Sequence, residues 1–332
     1  MPDNPTPVVA IPARDEETLL PRLIAALGRQ TVLARLTSPL EVIVVLNNTA
    51  DGSRRAAEAA AELAPRLRLT IEDVVYPPAR AHVGMARAFA MDLAATKAPE
   101  GIILTTDADA VPAETWIEAN LRAIASGADI VGGHIVGDPD EEARLGPGFL
   151  HRAGLHARYG ALCDELAALV DPLSHDPWPR HHDHSGGSLA VRAAVYRAVG
   201  GMEPLPFRED VAFVSRVRAA GFLLRHPLDV TVTVSARTQG RAKGGMADCL
   251  TAWLREEERG EPVLVECPEA VEARLLRRKR LRDAVALRPD AAALVEASAL
   301  EGLDVPATVP ACAAIPALTD RLAGLRDVAD AA

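Results

Sequence analysis

The stretch Ile102-Ile103-Leu104-Thr105-Thr106-Asp107-Ala108-Asp109-Ala110-Val111-Pro112 constrains this chain more than any other. A run of β-forming residues ends in two carboxylates one residue apart, and Pro112 then stops any continuation. The pattern predicts a central parallel strand with Asp107 and Asp109 at its carboxyl edge. In open α/β sheets that edge is where ligands bind. Two hard oxygen donors there suit Mg²⁺ or Mn²⁺ held together with substrate phosphates. A solvated Asp-x-Asp turn would leave the same pattern, so the neighbouring segments have to decide.

Around this stretch, strand and helix patterns alternate. Residues 7–12 and 40–46 read as buried aliphatic strands and 67–75 as a third. The first is followed by a helix carrying Leu19, Leu20, Leu23, Ile24 and Leu27 at helical spacing, the second by an Ala/Glu/Arg-rich helix reaching Leu63. Helical patterns at 84–96 and 115–126 flank the acidic strand, and 129–137 reads as another strand. This alternation predicts an α/β fold, a mostly parallel sheet flanked by helices. Past residue 138 the pattern changes to a polar loop over 139–150, a helix over 151–170 and an irregular His- and Pro-rich stretch over 171–187. Helices over 190–199 and 208–220 and a strand over 230–235 follow, and 246–332 reads as a helical C-terminal appendage.

With 332 residues, 49% of them hydrophobic, the chain can bury a sizeable core. A formal charge of −10 argues against a nucleic-acid or anionic-membrane binder, while leaving room for a local basic pocket. Cys163, Cys249, Cys267 and Cys312 are scattered without C-x-x-C spacing, which fits a reducing compartment and speaks against a thiolate zinc site. The first six residues are polar and proline-broken, and no window of 18 uninterrupted apolar residues exists, so no integral membrane segment is expected. The expected location is cytoplasmic.

Two clusters add chemistry. Arg237, Arg241 and Lys243 are spaced among glycines, as in a mobile segment that folds over a diphosphate, since guanidinium forks match phosphate oxygens. A solvated loop is the plainer reading. His175, His181, His182 and His184 match no standard zinc spacing. His184 is the one suited to complete a metal shell or touch a substrate hydroxyl; a loop of partly exposed histidines lining a cleft is the plainer reading.

In order and spacing these pieces resemble the soluble, non-processive, bacterial-type glycosyltransferases of family 2, which have the GT-A fold. Val9 to Glu17 resembles the opening strand and nucleotide loop, and Val44 to Ser53 the second loop. Gly84-Met85-Ala86-Arg87 resembles the helix start after the third strand, and Asp107-Ala108-Asp109 the metal motif. Gly186 to Arg192 resembles the acceptor-side segment, and Arg208-Glu209-Asp210-Val211 the acidic pair that opens the next helix. The likeness covers roughly 7–245, implying a nucleotide-sugar-binding half over 7–137 and an acceptor half over 138–245. One departure stands out: the second loop usually carries two aspartates where this chain has Asn47 and Asn48. Asparagine still accepts a hydrogen bond from a base or ribose, but the nucleotide, UDP or another, is left open.

The resemblance implies transfer of one sugar from a nucleotide-diphosphate sugar to a small-molecule or lipid-like acceptor, with Mn²⁺ or Mg²⁺ and inversion at the sugar. It implies donor contacts from Pro12, Ala13, Arg14, Glu16, Asn47, Asn48, Asp51, Arg80, Gly84, Arg87, Asp107, Ala108, Gly187, Arg237, Arg241 and Lys243. Asp109 would touch the metal and Asp107 the ribose or a metal-bound water, with His184 as a further ligand. Asp210 would be the general base, and Glu209 either shares that role or orients the acceptor. Three other readings compete. A nucleotidyltransferase of the sugar-nucleotide pyrophosphorylase type needs a Gly-rich basic loop after the first strand, where this chain has Ala13-Arg14-Asp15-Glu16-Glu17. A non-catalytic nucleotide-sugar-binding protein has no use for Asp107, Asp109, Glu209 and Asp210 together. Retaining chemistry on the same fold stays open. The Gln-x-x-Arg-Trp of processive synthases is missing, which speaks against polymer synthesis, and the proline-spaced appendage suits homodimer contacts.

Overall fold

The computed structural model describes residues 6–241, 244–287 and 307–330. In chain order its elements are β1 (Pro7–Ala13), α1 (Leu20–Leu27), β2 (Leu40–Asn47), α2 (Ser53–Glu62), β3 (Leu67–Val74), α3 (Val83–Lys97) and β4 (Ile102–Thr106). There follow β5 (Ala110–Pro112), α4 (Trp116–Ala125), β6 (Ile130–Gly132), β7 (His134–Gly137), α5 (Pro139–Arg144), α6 (Pro147–Val170), β8 (Ser188–Arg192) and α7 (Ala193–Ala198). The last are α8 (Glu209–Ala219), β9 (Leu224–Arg225), β10 (Thr231–Val234), α9 (Met246–Glu258), β11 (Leu264–Glu266), α10 (Pro268–Leu287), β12 (Thr308–Pro310) and α11 (Ala311–Asp330).

A seven-stranded sheet in the order β3-β2-β1-β4-β8-β6-β9 forms the frame. β1 to β4 are parallel neighbours, as the helix-separated aliphatic runs require. Both faces of these strands are covered. Val9, Ile11, Val42, Val44 and Leu104 pack with α1 and α4, while Val8, Ala10, Ile43, Val45 and Ile103 pack with α3 and α8. β8 runs antiparallel between β4 and β6. A three-stranded sheet, β5-β10-β7, starts just past the acidic pair, with β10 antiparallel to β5.

Three expectations for the middle of the chain are corrected. Residues 188–192 are strand, not the start of a helix: β4 and β6 each offer an open edge, and that pairing outweighs the helix propensity of Ala190. The helix is confined to Ala193–Ala198. The single strand expected over 129–137 breaks at Gly133 into β6 and β7, which join different sheets. A Cβ at Gly133 would collide with Ser188 Oγ, so the break needs a residue with no side chain. The polar stretch 139–150 is mostly helical, with Pro139 and Pro147 at helix starts, where proline's missing N–H costs nothing.

The chain divides into two compact units, Met1–Glu141 with His182–Leu250, and Glu142–His181 with Thr251–Ala332. The second has its own core: Tyr159 and Leu166 of α6, Val271 and Leu275 of α10, and Ile315, Leu318 and Leu322 of α11, beside the β11–β12 pair. Among the described residues no helix is long and apolar enough to cross a membrane.

Trp116 is wholly buried under the sheet and donates from Nε1 to Ser188 Oγ at 2.9 Å, tying α4 to β8. Trp116→Ala should cost about 3–5 kcal/mol, read as a lowered urea midpoint. Trp116→Phe, which keeps most of the volume, should cost clearly less.

Candidate active site

The loops at the carboxyl ends of β1 and β2 are stitched together by side-chain oxygens. Ala50 N donates to Asp15 Oδ1 at 2.8 Å, Glu16 N to Ser53 Oγ at 2.8 Å, and Glu17 N to Asp51 Oδ2 at 3.0 Å. Burial pushes the Asp51 carboxyl up, but hydrogen bonds from Ser53 and Glu17 outweigh it and hold the group below its usual range. Asp15 has φ 51° and Asn48 φ 50°, the left-handed region that aspartate and asparagine tolerate best among non-glycine residues. Arg208, at φ 53°, is the other described non-glycine residue with positive φ. All three flank candidate site residues, as stored backbone strain often does.

The two asparagines of the second loop do different work. Asn48 Nδ2 donates to Tyr76 O at 2.9 Å and its Oδ1 accepts from Tyr76 N at 3.0 Å, so its amide is spent on the backbone after β3. Asn47 Nδ2 donates to His82 O at 3.0 Å, but Asn47 Oδ1 is buried without a hydrogen-bond partner. Thr49 Oγ1 and His82 Nδ1 are unpaired in the same way. Buried polar groups are normally satisfied, so three orphans on adjoining turns mark a place where a ligand's donors and acceptors belong.

Across the β4 edge, one guanidinium does the organising. Arg87, on α3 and 3% exposed, donates from Nε to Glu209 Oε1 at 3.0 Å and from Nη2 to Asp107 Oδ1 at 2.6 Å. Its Nη1 donates to Thr105 Oγ1 at 3.1 Å and Gly186 O at 2.9 Å. Burial alone would depress this guanidinium, but the carboxylates of Asp107 and Glu209 outweigh that and bind its proton more firmly than usual. A Cβ on Gly186 would run into the guanidinium, so glycine is what lets Arg87 pass. The same Gly186 donates from N to Asp210 Oδ2 at 2.5 Å. Asp107, Glu209 and Asp210 are therefore held within two bonds of one buried cation.

On the other side of the acidic pair, Arg237 grips Glu16 with both arms, at 2.9 Å and 2.6 Å, and its Nη2 lies 2.8 Å from Asp109 Oδ2. Arg241 Nη1 donates to Glu16 Oε1 at 3.0 Å. Burial and the Asp107 carboxylate push the Asp109 carboxyl up to about 6, Arg237 pulls it down, and Glu16 adds to the rise. The cluster Glu16, Asp107, Asp109, Glu209 and Asp210 carries two more negative charges than Arg87, Arg237 and Arg241 offset. Such an excess of carboxylate suits a divalent cation. The hard oxygen donors fit such an ion, and the Arg237 guanidinium lies on Asp109 Oδ2.

The remaining sequence candidates are distributed as follows. Pro12 and Ala13 end β1 in the core, and Ala108 is buried between the two carboxylates. Arg14 Nη1 donates to Ala81 O at 3.2 Å, and Arg80 is exposed beside Met85. Gly84 packs so closely on the Leu205 backbone that a Cβ has no room, which makes it a packing residue at the start of α3. A Cβ on Gly187 would press on Ile135 Cδ1 at 2.9 Å and lie 3.6 Å from Asp107 Oδ2. Arg87 and Glu209, expected to face donor and acceptor, spend their charges on each other and on protein partners. His184 Nδ1 lies 3.3 Å from His226 Nε2, its partner beside β9. Lys243 lies outside the described residues. Thr49, Thr105 and Gly186 were not singled out from sequence as site residues. Thr49 sits in an ordinary turn cluster, and only the doubled Gly186-Gly187 ahead of a strand hints at a close approach.

A profile of the family described as Glycosyl transferase family 2 matches residues 8–170. TarS 1-349 of S. aureus, solved with UDP, is similar at 14% identity, with 83% of this chain and 71% of that chain covered and a TM-score of 0.51. The mannosyltransferase of Pyrobaculum calidifontis, solved with GDP-Man and Mn²⁺, is 19% identical over 98% of this chain and 83% of that one, with a TM-score of 0.48. The glucosyl-3-phosphoglycerate synthase of Mycobacterium tuberculosis, solved with phosphoglyceric acid, is 15% identical over 78% of this chain and 81% of that one, with a TM-score of 0.42. No curated protein sequence gives a significant match.

Arg87→Met should cost about 3–5 kcal/mol in urea unfolding, because it strands the buried Glu209 carboxylate. Adding Glu209→Gln should restore part of that loss, so the double-mutant cycle should be clearly non-additive. Burial, with His226 and Arg218 nearby, pushes the His184 imidazole down to about 4. As pH falls, the unfolded chain takes up that proton first, near 6.5. Stability should therefore drop by about 2–3 kcal/mol between roughly pH 6.5 and 4. His184→Gln should flatten that slope.

Proposed function

Because this chain belongs to glycosyl transferase family 2 and has its GT-A fold, we propose that it moves a single sugar from a nucleotide-diphosphate sugar to a hydroxyl acceptor. In this reading a divalent cation assists and Asp210 is the general base. One observation carries the reading: Asp107 of the acidic pair and the Glu209–Asp210 pair of α8 converge on Arg87 and Gly186. That joins a cation-seeking edge to a positioned carboxylate, the two things an inverting transfer needs.

Placement supports the following roles. Asn47 Oδ1, Thr49 Oγ1 and His82 Nδ1 meet the polar edge of the nucleoside. Asp109 would hold the cation, and Asp107, with Oδ1 engaged by Arg87, would keep Oδ2 for the ribose or a metal-bound water. Mn²⁺ or Mg²⁺ held there would stabilise charge developing on the diphosphate as the sugar–phosphate bond breaks. Arg237 and Arg241 supply forks that match phosphate oxygens. Asp210, its oxygens fixed by Gly186 N and Val211 N, removes the acceptor hydroxyl proton. Glu209 and Arg87 keep the start of α8 in place, as positioning residues. The acidic, glycine-free loop at 13–17 speaks against the nucleotidyltransferase alternative.

Calorimetry with UDP and GDP, with and without Mn²⁺, should show Mn²⁺-dependent binding of one nucleotide that Asp109→Ala loses. Absence of binding under every condition would sink the reading. Asp210→Asn should lower kcat by about 10²–10⁴-fold with donor affinity within about twofold of wild type. Unchanged turnover would remove Asp210 as base.

A further inference from the structure

Resting on that donor-site reading, we propose that Arg237 is a built-in counter-cation. It shares the seat of the divalent ion at Asp109, so ion and donor enter by exchanging this guanidinium off Asp109 and Glu16. The same Nη2 that lies 2.8 Å from Asp109 Oδ2 also lies 2.6 Å from Glu16 Oε1. Glu16 is 6% exposed and the Asp109 side chain 20%, so neither carboxylate has water enough to be left unpaired. The contact joins residues 221 positions apart and is repeated by Arg241 on the same Glu16 oxygen. A built tertiary clamp is the reading that fits both.

The exchange has a direction. A divalent ion and a guanidinium on one carboxylate oxygen repel, so bare cation is held off by Arg237. A diphosphate changes the balance, because it offers both arginines new acceptor oxygens while it brings its own ligands to the ion. Cation and nucleotide are therefore coupled, each raising the other's affinity by the same factor. Glu16 is the latch in this arrangement, holding Arg237 and Arg241 over the acidic pair until phosphate oxygens replace it.

The test is Mn²⁺ binding to the full chain followed by the EPR signal of free Mn²⁺, with and without UDP or GDP. Wild type should bind bare Mn²⁺ weakly and more tightly with nucleotide. Arg237→Gln should bind bare Mn²⁺ about tenfold or more tightly than wild type and show reduced coupling to nucleotide. Arg241→Gln, which removes an equal charge that touches Glu16 alone, should change bare Mn²⁺ affinity clearly less. Arg237→Lys, which keeps the charge without the fork, should fall between wild type and Arg237→Gln. Equal bare-Mn²⁺ affinity in wild type and Arg237→Gln would overturn the exchange, and so would equal gains in the Arg237 and Arg241 variants. Failure of the donor-site reading looks different: no variant, wild type included, would respond to nucleotide.

Discussion

A guanidinium sealed from water at the carboxyl edge of the sheet has to find its counter-charges inside the protein, and the site is built around that requirement. Arg87 meets it with Asp107 from the end of β4, Glu209 from the start of α8, and two neutral acceptors, Thr105 Oγ1 and Gly186 O. These partners come from three separate stretches of chain. An unpaired buried charge would cost several kcal/mol, so moving any one of them disturbs the rest. Arg87 thereby sets the distance between the acidic pair and the acidic start of α8 with a side chain that is itself buried.

The first two loops solve a different problem. Their backbones turn sharply at Asp15 and Asn48, and Asp51, Ser53 and Asn48 supply the hydrogen bonds that make those turns stable. With those residues committed to structure, Asn47, Thr49 and His82 are left with unsatisfied buried atoms. Polar groups committed to the turns and buried polar atoms with no protein partner thus sit side by side. Arg237 and Arg241 balance Glu16 from more than 200 residues away, and Arg237 also meets Asp109. The whole site is an arrangement of like charges that stays folded because arginines from distant segments are placed among them.

The frame makes this placement possible. Four parallel strands bring the ends of β1, β2 and β4 to one edge, and the antiparallel insertion of β8 brings Gly186 and Gly187 to the same edge beside Asp107. That insertion was not legible in the sequence, because Leu189-Ala190-Val191 is as compatible with a helix as with a short strand when the partners are unknown. The break at Gly133 leaves a local mark, the Gly132-Gly133 pair between Ile130-Val131 and Ile135-Val136, but that pair does not say that the two halves belong to different sheets.

By itself the sequence determined the alternating aliphatic runs and hence the mostly parallel α/β sheet, and it determined that Asp107 and Asp109 follow a strand at its carboxyl edge. These follow from local pattern, since strand burial and helix periodicity are written in adjacent residues. It also supplied Glu209-Asp210 as an acidic helix opening, but not the division of labour within that pair. Only the tertiary structure turned Glu209 inward to Arg87 and left Asp210 on the Gly186 N–H. Only the tertiary structure separated Asn48, spent on Tyr76, from Asn47, and set Arg237 on Asp109. Each of those outcomes depends on which distant charge or carbonyl arrives within about 3 Å. Burial and ion pairing between remote segments have no signature in the spacing of neighbouring residues.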